Sequence, residues 1–326
     1  MSASESASDP MSASESASDP MSEQPFNPVA HADGAPPTPG RLVSLNGLDI
    51  HVVVQGAGPP VLLLASLGGH WFDLDHLANA LADRFQVIRY DRPGYGLSSP
   101  LARHHHPTLA AEIERIGAVL DAAGVTGPVL IAAHSMSSMY AEGFARTAPD
   151  RVAALLMIDG SFVMAPWRVL PTAVRVRNAH RAARAVRATG LLPLVGPRLR
   201  HLALPTPPGG FDPVQRQWIS RVFSRSVHIA ATMVENAAFP AINLDLIRVR
   251  RRHRLDVPVT VLAALPVQGW WYRRAWRWRQ RRYARHLDAV YEQLSPTNHL
   301  LVTEHPEPVA HAIERLARRS GFMRPS

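Results

Sequence analysis

From residue 129 to 138 the chain reads Val-Leu-Ile-Ala-Ala-His-Ser-Met-Ser-Ser: a strand-like run passes into a helix start with Ser135 at the junction. No spacer separates the two elements, so the chain must turn within a residue or two. A side chain at such a turn is forced into a strained backbone conformation and stands above the sheet. Its neighbours two positions away must be small, because strand and helix approach closely there. Ala133 and Ser137 meet that requirement. An apolar strand bounded in this way suits the middle of a parallel sheet covered on both faces.

The surrounding pattern agrees. Residues 41–45 and 48–54 read as a hairpin around Asn46-Gly47, a strong turn dipeptide. Short apolar strands follow at 61–65, 86–90, 128–133 and 152–158, separated by helical spacing at 72–82, 109–123 and 136–146. That alternation predicts a mostly parallel sheet flanked by helices. The rhythm stops after 158: residues 163–255 are mostly helical in pattern, Arg-rich, and broken by a Pro/Gly stretch at 204–210. The sheet resumes at 257–263, followed by a helix at 271–286, a short strand near 289–292 and a last helix at 307–319.

Four segments are expected: a tail at 1–40, the first part of the core at 41–162, a helical cap at 163–255, and the second part of the core at 256–326. The block 1–10 recurs verbatim at 11–20, rich in Ser, Ala and acids, and predicts a disordered segment because it offers too little apolar surface to offset chain entropy. With no cysteine, the chain has no disulfide, no thiolate metal site and no Cys nucleophile. Neither a membrane-length apolar run nor a secretory leader pattern is present, so a cytoplasmic protein is expected.

Several motifs in order resemble the α/β-hydrolase family: Ala-His-Ser-Met-Ser at 133–137, Pro-Asp-Arg-Val at 149–152, Asp-Arg-Pro-Gly-Tyr-Gly at 91–96, and Asn298-His299 followed by Pro-Glu-Pro-Val at 306–309. The resemblance implies the α/β-hydrolase fold with a helical cap inserted after the sixth strand. It also implies Ser135 as nucleophile and His299 as general base, in the family's order Ser, acid, His. No acid follows the seventh strand between Ala263 and Trp271, the family's commonest place for it. Asp159, at the end of the sixth strand, is the resemblance's other position and the choice here. An Asp there also suits capping of the following turn, and Asp245 in the insertion is a poorer candidate.

An oxyanion hole is expected from the backbone N–H groups of Met136 and Leu67. The loop carrying Leu67 begins Ala65-Ser66 where the family usually has His-Gly. His134 is read as packing, its side chain turned away from that of Ser135. The run His104-His105-His106 is read as a surface loop, since three adjacent histidines do not converge on one ion.

Every basic side chain counted among the 35 is arginine, and none lies in the first forty residues, so the body is more basic than the overall formal charge of +9. The stretch 270–285 interleaves Trp and Tyr with Arg, a composition that suits an interfacial membrane helix; an RNA-contacting helix shares it, but nucleic acid is the less expected partner. A helix packing its aromatics inward with Arg in solvent reads the same way. Two functions therefore stand side by side. One is a cofactor-free serine hydrolase cleaving an ester, less readily an amide, of a small apolar substrate. The other is a degenerate fold whose basic surface binds anionic lipid or a protein. Ser at position 135 disfavours epoxide hydrolase or dehalogenase chemistry, which uses Asp in this fold.

Overall fold

The structure is a computed structural model, and it describes residues 36–161, 170–267 and 269–323. Eight strands form one sheet in the order β1-β2-β4-β3-β5-β6-β7-β8. They are β1 (Arg41–Leu45), β2 (Leu48–Gln55), β3 (Pro60–Leu64), β4 (Gln86–Tyr90), β5 (Val129–His134), β6 (Val152–Ile158), β7 (Val259–Ala264) and β8 (Val290–Leu294). Only the first two strands run antiparallel to their neighbours; from β4 to β8 all pairs are parallel.

The helices are α1 (Asp75–Leu81), α2 (Leu109–Ala122), α3 (Ser138–Thr147), α4 (Thr172–Ala188), α5 (Leu192–Ala203), α6 (Pro213–Phe223), α7 (Ser226–Arg252), α8 (Trp270–His286), α9 (Leu301–Glu304) and α10 (Pro306–Arg319). Every residue of β5 is buried, which explains its unbroken apolar sequence: both faces are covered. On one face, residues of α2, α3, α7 and α8 pack over Ile131, Ala133, Leu155 and Met157. On the other, α1, α9 and α10 pack over Leu130, Ala132, Leu156 and Ile158. The strand's period of two thus sends alternate residues into separate cores.

Helix α4 to helix α7 occupy the insertion between β6 and β7, as the resemblance implies. The proposed start of the cap at 163 lies outside the described residues. A third cluster joins the insertion to the sheet edge: Phe211, Trp218, Ile219, Val222 and Phe223 pack against Val53, Trp71 and Phe72. Asp212 and Gln215 form a reciprocal capping box that starts α6, with Pro213 supplying its first turn.

Two expectations need correction. The boundary of the tail at 40 is too late, because Pro36 to Gly40 pack on the body. Thr38 is fully buried, the Pro39 carbonyl accepts from His51 Nε2 at 2.9 Å, and the Pro37 carbonyl lies 3.3 Å from Trp218 Nε1. Prolines bring few N–H groups that need partners, so their carbonyls are free to serve buried donors. Residues 1–35 lie outside the described residues. The single helix expected at 72–82 is a 3₁₀ turn, Trp71–Leu74, followed by α1, because Asp73 and His70 cap each other and break the register.

Candidate active site

Ser135 stands between β5 and α3 with φ of +57°, a left-handed conformation that an L side chain adopts only under constraint. The constraint comes from the turn's own bonds. The Ser138 hydroxyl donates to the Ser135 carbonyl at 2.7 Å, and Ser161 N–H donates to the same oxygen at 3.1 Å. The Ser137 hydroxyl lies 2.8 Å from the His134 carbonyl and 3.0 Å from the Leu64 carbonyl. The serine in place of glycine at 137 therefore ties the turn to the end of β3, a contact that glycine has no atoms to make.

The imidazole of His299 bridges two other elements. Its Nε2 lies 2.8 Å from Ser135 Oγ and its Nδ1 lies 2.6 Å from Asp159 Oδ2. With the carboxylate as acceptor, Nδ1 carries the proton and Nε2 is left to accept from the serine hydroxyl. Asp159 itself has φ of +44°, held by its N–H donating to the Leu262 carbonyl at 2.7 Å. Its carboxylate does not cap the local turn. Oδ1 instead accepts from Ala264 N–H at 3.0 Å and from Trp276 Nε1–H at 2.8 Å. Asp245 has a different partner: it lies on α7 and pairs with Arg248 at 2.5 Å.

The side chain of His299 is 48% exposed while Asp159 is 2% exposed, so the imidazole meets solvent and its acid does not. Asn298, standing where the family usually has glycine, donates through Nδ2 and its backbone N–H to Glu304, each at 3.3 Å. This anchors the His299 loop to α9. His134 is buried, as its reading as a packing residue requires. Its ring centroid lies 5.0 Å from that of His299, and its Nε2–H donates to the His299 carbonyl at 2.7 Å. Burial, reinforced by the neighbouring His299, lowers the His134 pKa to about 3, so it stays neutral and serves as a strut.

Met136 follows Ser135 in the turn, 2% exposed, and Leu67 sits in the facing loop at 65–69. That loop is clamped from below. Arg92 donates to the carbonyls of Ala65 and Ser66 at 2.7 and 2.8 Å, and Gly69 N–H donates to Ser66 at 3.0 Å. The guanidinium is paired in turn with Glu235 of α7, at 2.9 and 3.1 Å, both side chains being almost fully buried. Tyr95 and Tyr140 also donate to that carboxylate, at 2.5 and 2.9 Å. Burial and the negative Glu235 hold both phenols well above their usual range, so they remain donors. Behind the loop lies a cavity of about 50 Å³, lined by Leu67, Leu74, His134, Leu204, Leu300 and Val302 among others.

Sequence reasoning did not find Arg92, Glu235 or Trp276. Arg92 lies inside the Asp-Arg-Pro-Gly-Tyr-Gly turn and had that signal. Glu235 and Trp276 lie in helices whose local pattern says nothing about distant partners. The three histidines at 104–106 sit on the surface, and among the described residues no three His, Asp or Glu side chains group as metal ligands would.

A mostly parallel sheet with a serine turn after β5, a carboxylate after β6 and a histidine after β8 defines an α/β-hydrolase-type fold and site. The chain belongs to the alpha/beta hydrolase family, whose sequence profile matches residues 36–312. It is similar to the pimeloyl-(acyl-carrier protein) methyl ester esterase of Methylococcus capsulatus, 36% identical over 135 residues that cover 40% of this chain and 50% of the esterase. It is also similar to the cis-3-alkyl-4-alkyloxetan-2-one decarboxylase of Shewanella oneidensis, 29% identical over 136 residues, 41% of this chain and 43% of that protein. The chain thus spans half or less of these curated relatives. Among solved structures, epoxide hydrolase VrEH1 from Vigna radiata superposes with a TM-score of 0.65 over 86% of this chain and 97% of its own, at 17% identity, a likeness of fold.

Proposed function

We propose that the chain is a serine hydrolase that cleaves a carboxylic ester of a small, apolar substrate through an acyl-enzyme. The observation that carries this reading is the continuous relay Asp159–His299–Ser135, with contacts of 2.6 and 2.8 Å. Ser135 Oγ attacks the ester carbonyl as its proton passes to His299 Nε2, and Asp159 steadies the imidazolium. The N–H groups of Met136 and Leu67 receive the negative charge that forms on the carbonyl oxygen. His299 returns the proton to the leaving alkoxide; water, reaching Nε2 through the exposed edge of the ring, then frees the acid and restores the serine. The sequence of steps requires no cofactor.

Serine also discriminates within the family. Opened by a serine hydroxyl, an epoxide leaves an ether on the enzyme, which water does not hydrolyse; an acyl ester on serine turns over. The esterase relative is compatible with this chemistry; the cavity behind the 65–69 loop offers an apolar acyl or alkyl group Leu67, Leu204, Leu300 and Val302, beside the paired charges of Asp73 and Arg200.

Reaction with a fluorophosphonate probe tests the reading, since only an activated serine is labelled. Wild type is expected to label and to hydrolyse short-chain p-nitrophenyl esters. Ser135→Ala is expected to do neither, with turnover lower by about 10⁴ or more. A Ser135→Ala protein keeping more than about a tenth of the activity would remove Ser135 from this role.

A further inference from the structure

Helix α8 presents two different faces. Trp276, Gln280 and Tyr283, with Leu287 just past the helix end, turn inward at spacings of four, three and four. Trp276 bonds Asp159, Gln280 Nε2 donates to the Gly160 carbonyl at 3.0 Å, and Tyr283 is fully buried. Trp271, Arg274, Trp278, Arg281 and Arg285 follow the opposite stripe and are all exposed. Trp270 is 78%, Trp271 66% and Trp278 56% exposed. Packing of the fold therefore accounts for one tryptophan of this helix and leaves three in water.

The exposed stripe has a definite chemistry. The helix carries seven arginines and no acid. Arg282 lies over the Trp278 ring at 5.3 Å, and Tyr272 stacks on Trp276 at 6.2 Å, so the outer aromatic groups are braced. Val267, 67% exposed just before the helix, lines an open cleft with Thr206, Pro208, Pro296 and Asn298, the neighbour of His299.

We propose that the outward face of α8 docks onto an anionic phospholipid bilayer. Indoles settle in the headgroup region, where an apolar body and one N–H donor are both served. Guanidiniums on the same stripe pair with lipid phosphates, and their attraction adds to the apolar burial. Single-stranded nucleic acid is bound through a basic groove with aromatics stacked along it; here the aromatics stand on the convex outer face of a helix. Docking does not depend on Ser135 acting as a nucleophile.

Co-sedimentation of the full chain with vesicles of phosphatidylcholine, alone or with about a third phosphatidylglycerol, tests the surface. Binding is expected to the anionic vesicles, to be about tenfold weaker to the neutral ones, and to fall as salt rises. The triple variant Trp270→Ala, Trp271→Ala, Trp278→Ala is expected to lower partitioning about tenfold without lowering the melting temperature. Arg274→Gln, Arg281→Gln, Arg285→Gln is expected to lower it similarly and to flatten its salt dependence, which decides the matter if the tryptophan variant folds poorly. Ser135→Ala is expected to bind as wild type does, so failure of the hydrolase reading leaves this result intact. Equal binding by wild type and both triple variants overturns the proposal. So does capture of single-stranded RNA in place of anionic vesicles.

Discussion

Trp276 Nε1–H donates to Asp159 Oδ1 at 2.8 Å, so an indole from a surface helix holds the carboxylate whose other oxygen holds His299. The carboxylate loses one of its two Oδ1 donors in Trp276→Phe and keeps the Ala264 N–H. A hydrogen bond to a charged group contributes about 1.5–3 kcal/mol. Trp276→Phe is therefore expected to lower kcat about tenfold with little change in KM, as measured on a short-chain ester. An unchanged kcat would show that Ala264 alone orients the acid.

The choice between carboxylates is open to direct measurement. Asp159→Asn replaces the acceptor facing His299 Nδ1 with a group that favours the wrong tautomer, and turnover is expected to fall by about 10⁴. Asp245→Asn touches only the exposed pair with Arg248 and is expected to leave turnover within about twofold. Similar losses in both variants would contradict the geometry of the relay.

The Arg92–Glu235 pair is buried, and removing one partner strands the other. Glu235→Ala is expected to cost about 3–5 kcal/mol of stability, seen as a lower denaturation midpoint in urea. Replacing both residues, Arg92→Met with Glu235→Met, is expected to recover only part of that stability, because the Tyr95 and Tyr140 hydroxyls then lose their acceptor. It is not expected to recover turnover, because the Ala65 and Ser66 carbonyls then lose the clamp that fixes the loop bearing Leu67.

Acid is expected to destabilise the fold through its buried histidines. Burial lowers His228 from its ordinary 6.5 to about 4, and His134 to about 3. The unfolded chain takes up a proton on each below about pH 6.5 and the folded chain does not, so stability falls as pH drops from there toward the folded values. Each histidine contributes about 1.4 kcal/mol per pH unit within that window. His228→Phe keeps a ring against Phe223 and is expected to flatten the fall in melting temperature between about pH 6 and pH 4.5. Identical slopes in the two proteins would show that His228 is not part of this response.

The parts of this protein legible in its sequence are those set by near neighbours in the chain. The unbroken apolar run of β5 dictates a strand covered on both faces, and Ala133 and Ser137 dictate a turn tight enough to lift Ser135. The order of strands and helices follows from the same local periodicities, and so does the insertion after β6. Asp159 was reachable only through the family resemblance, which offers the end of the sixth strand where no acid follows the seventh. The tertiary structure decided what depends on groups far apart in sequence: that Asp159 faces His299 across 140 positions, and that Arg92 finds Glu235 across 143. It also divided the tryptophans of α8, one to the carboxylate and three to solvent, although all four stand in the same Arg-rich stretch. Helical spacing defines which residues share a stripe. Which stripe meets the protein is decided by where β6 and β7 end, and that position is a property of the assembled sheet.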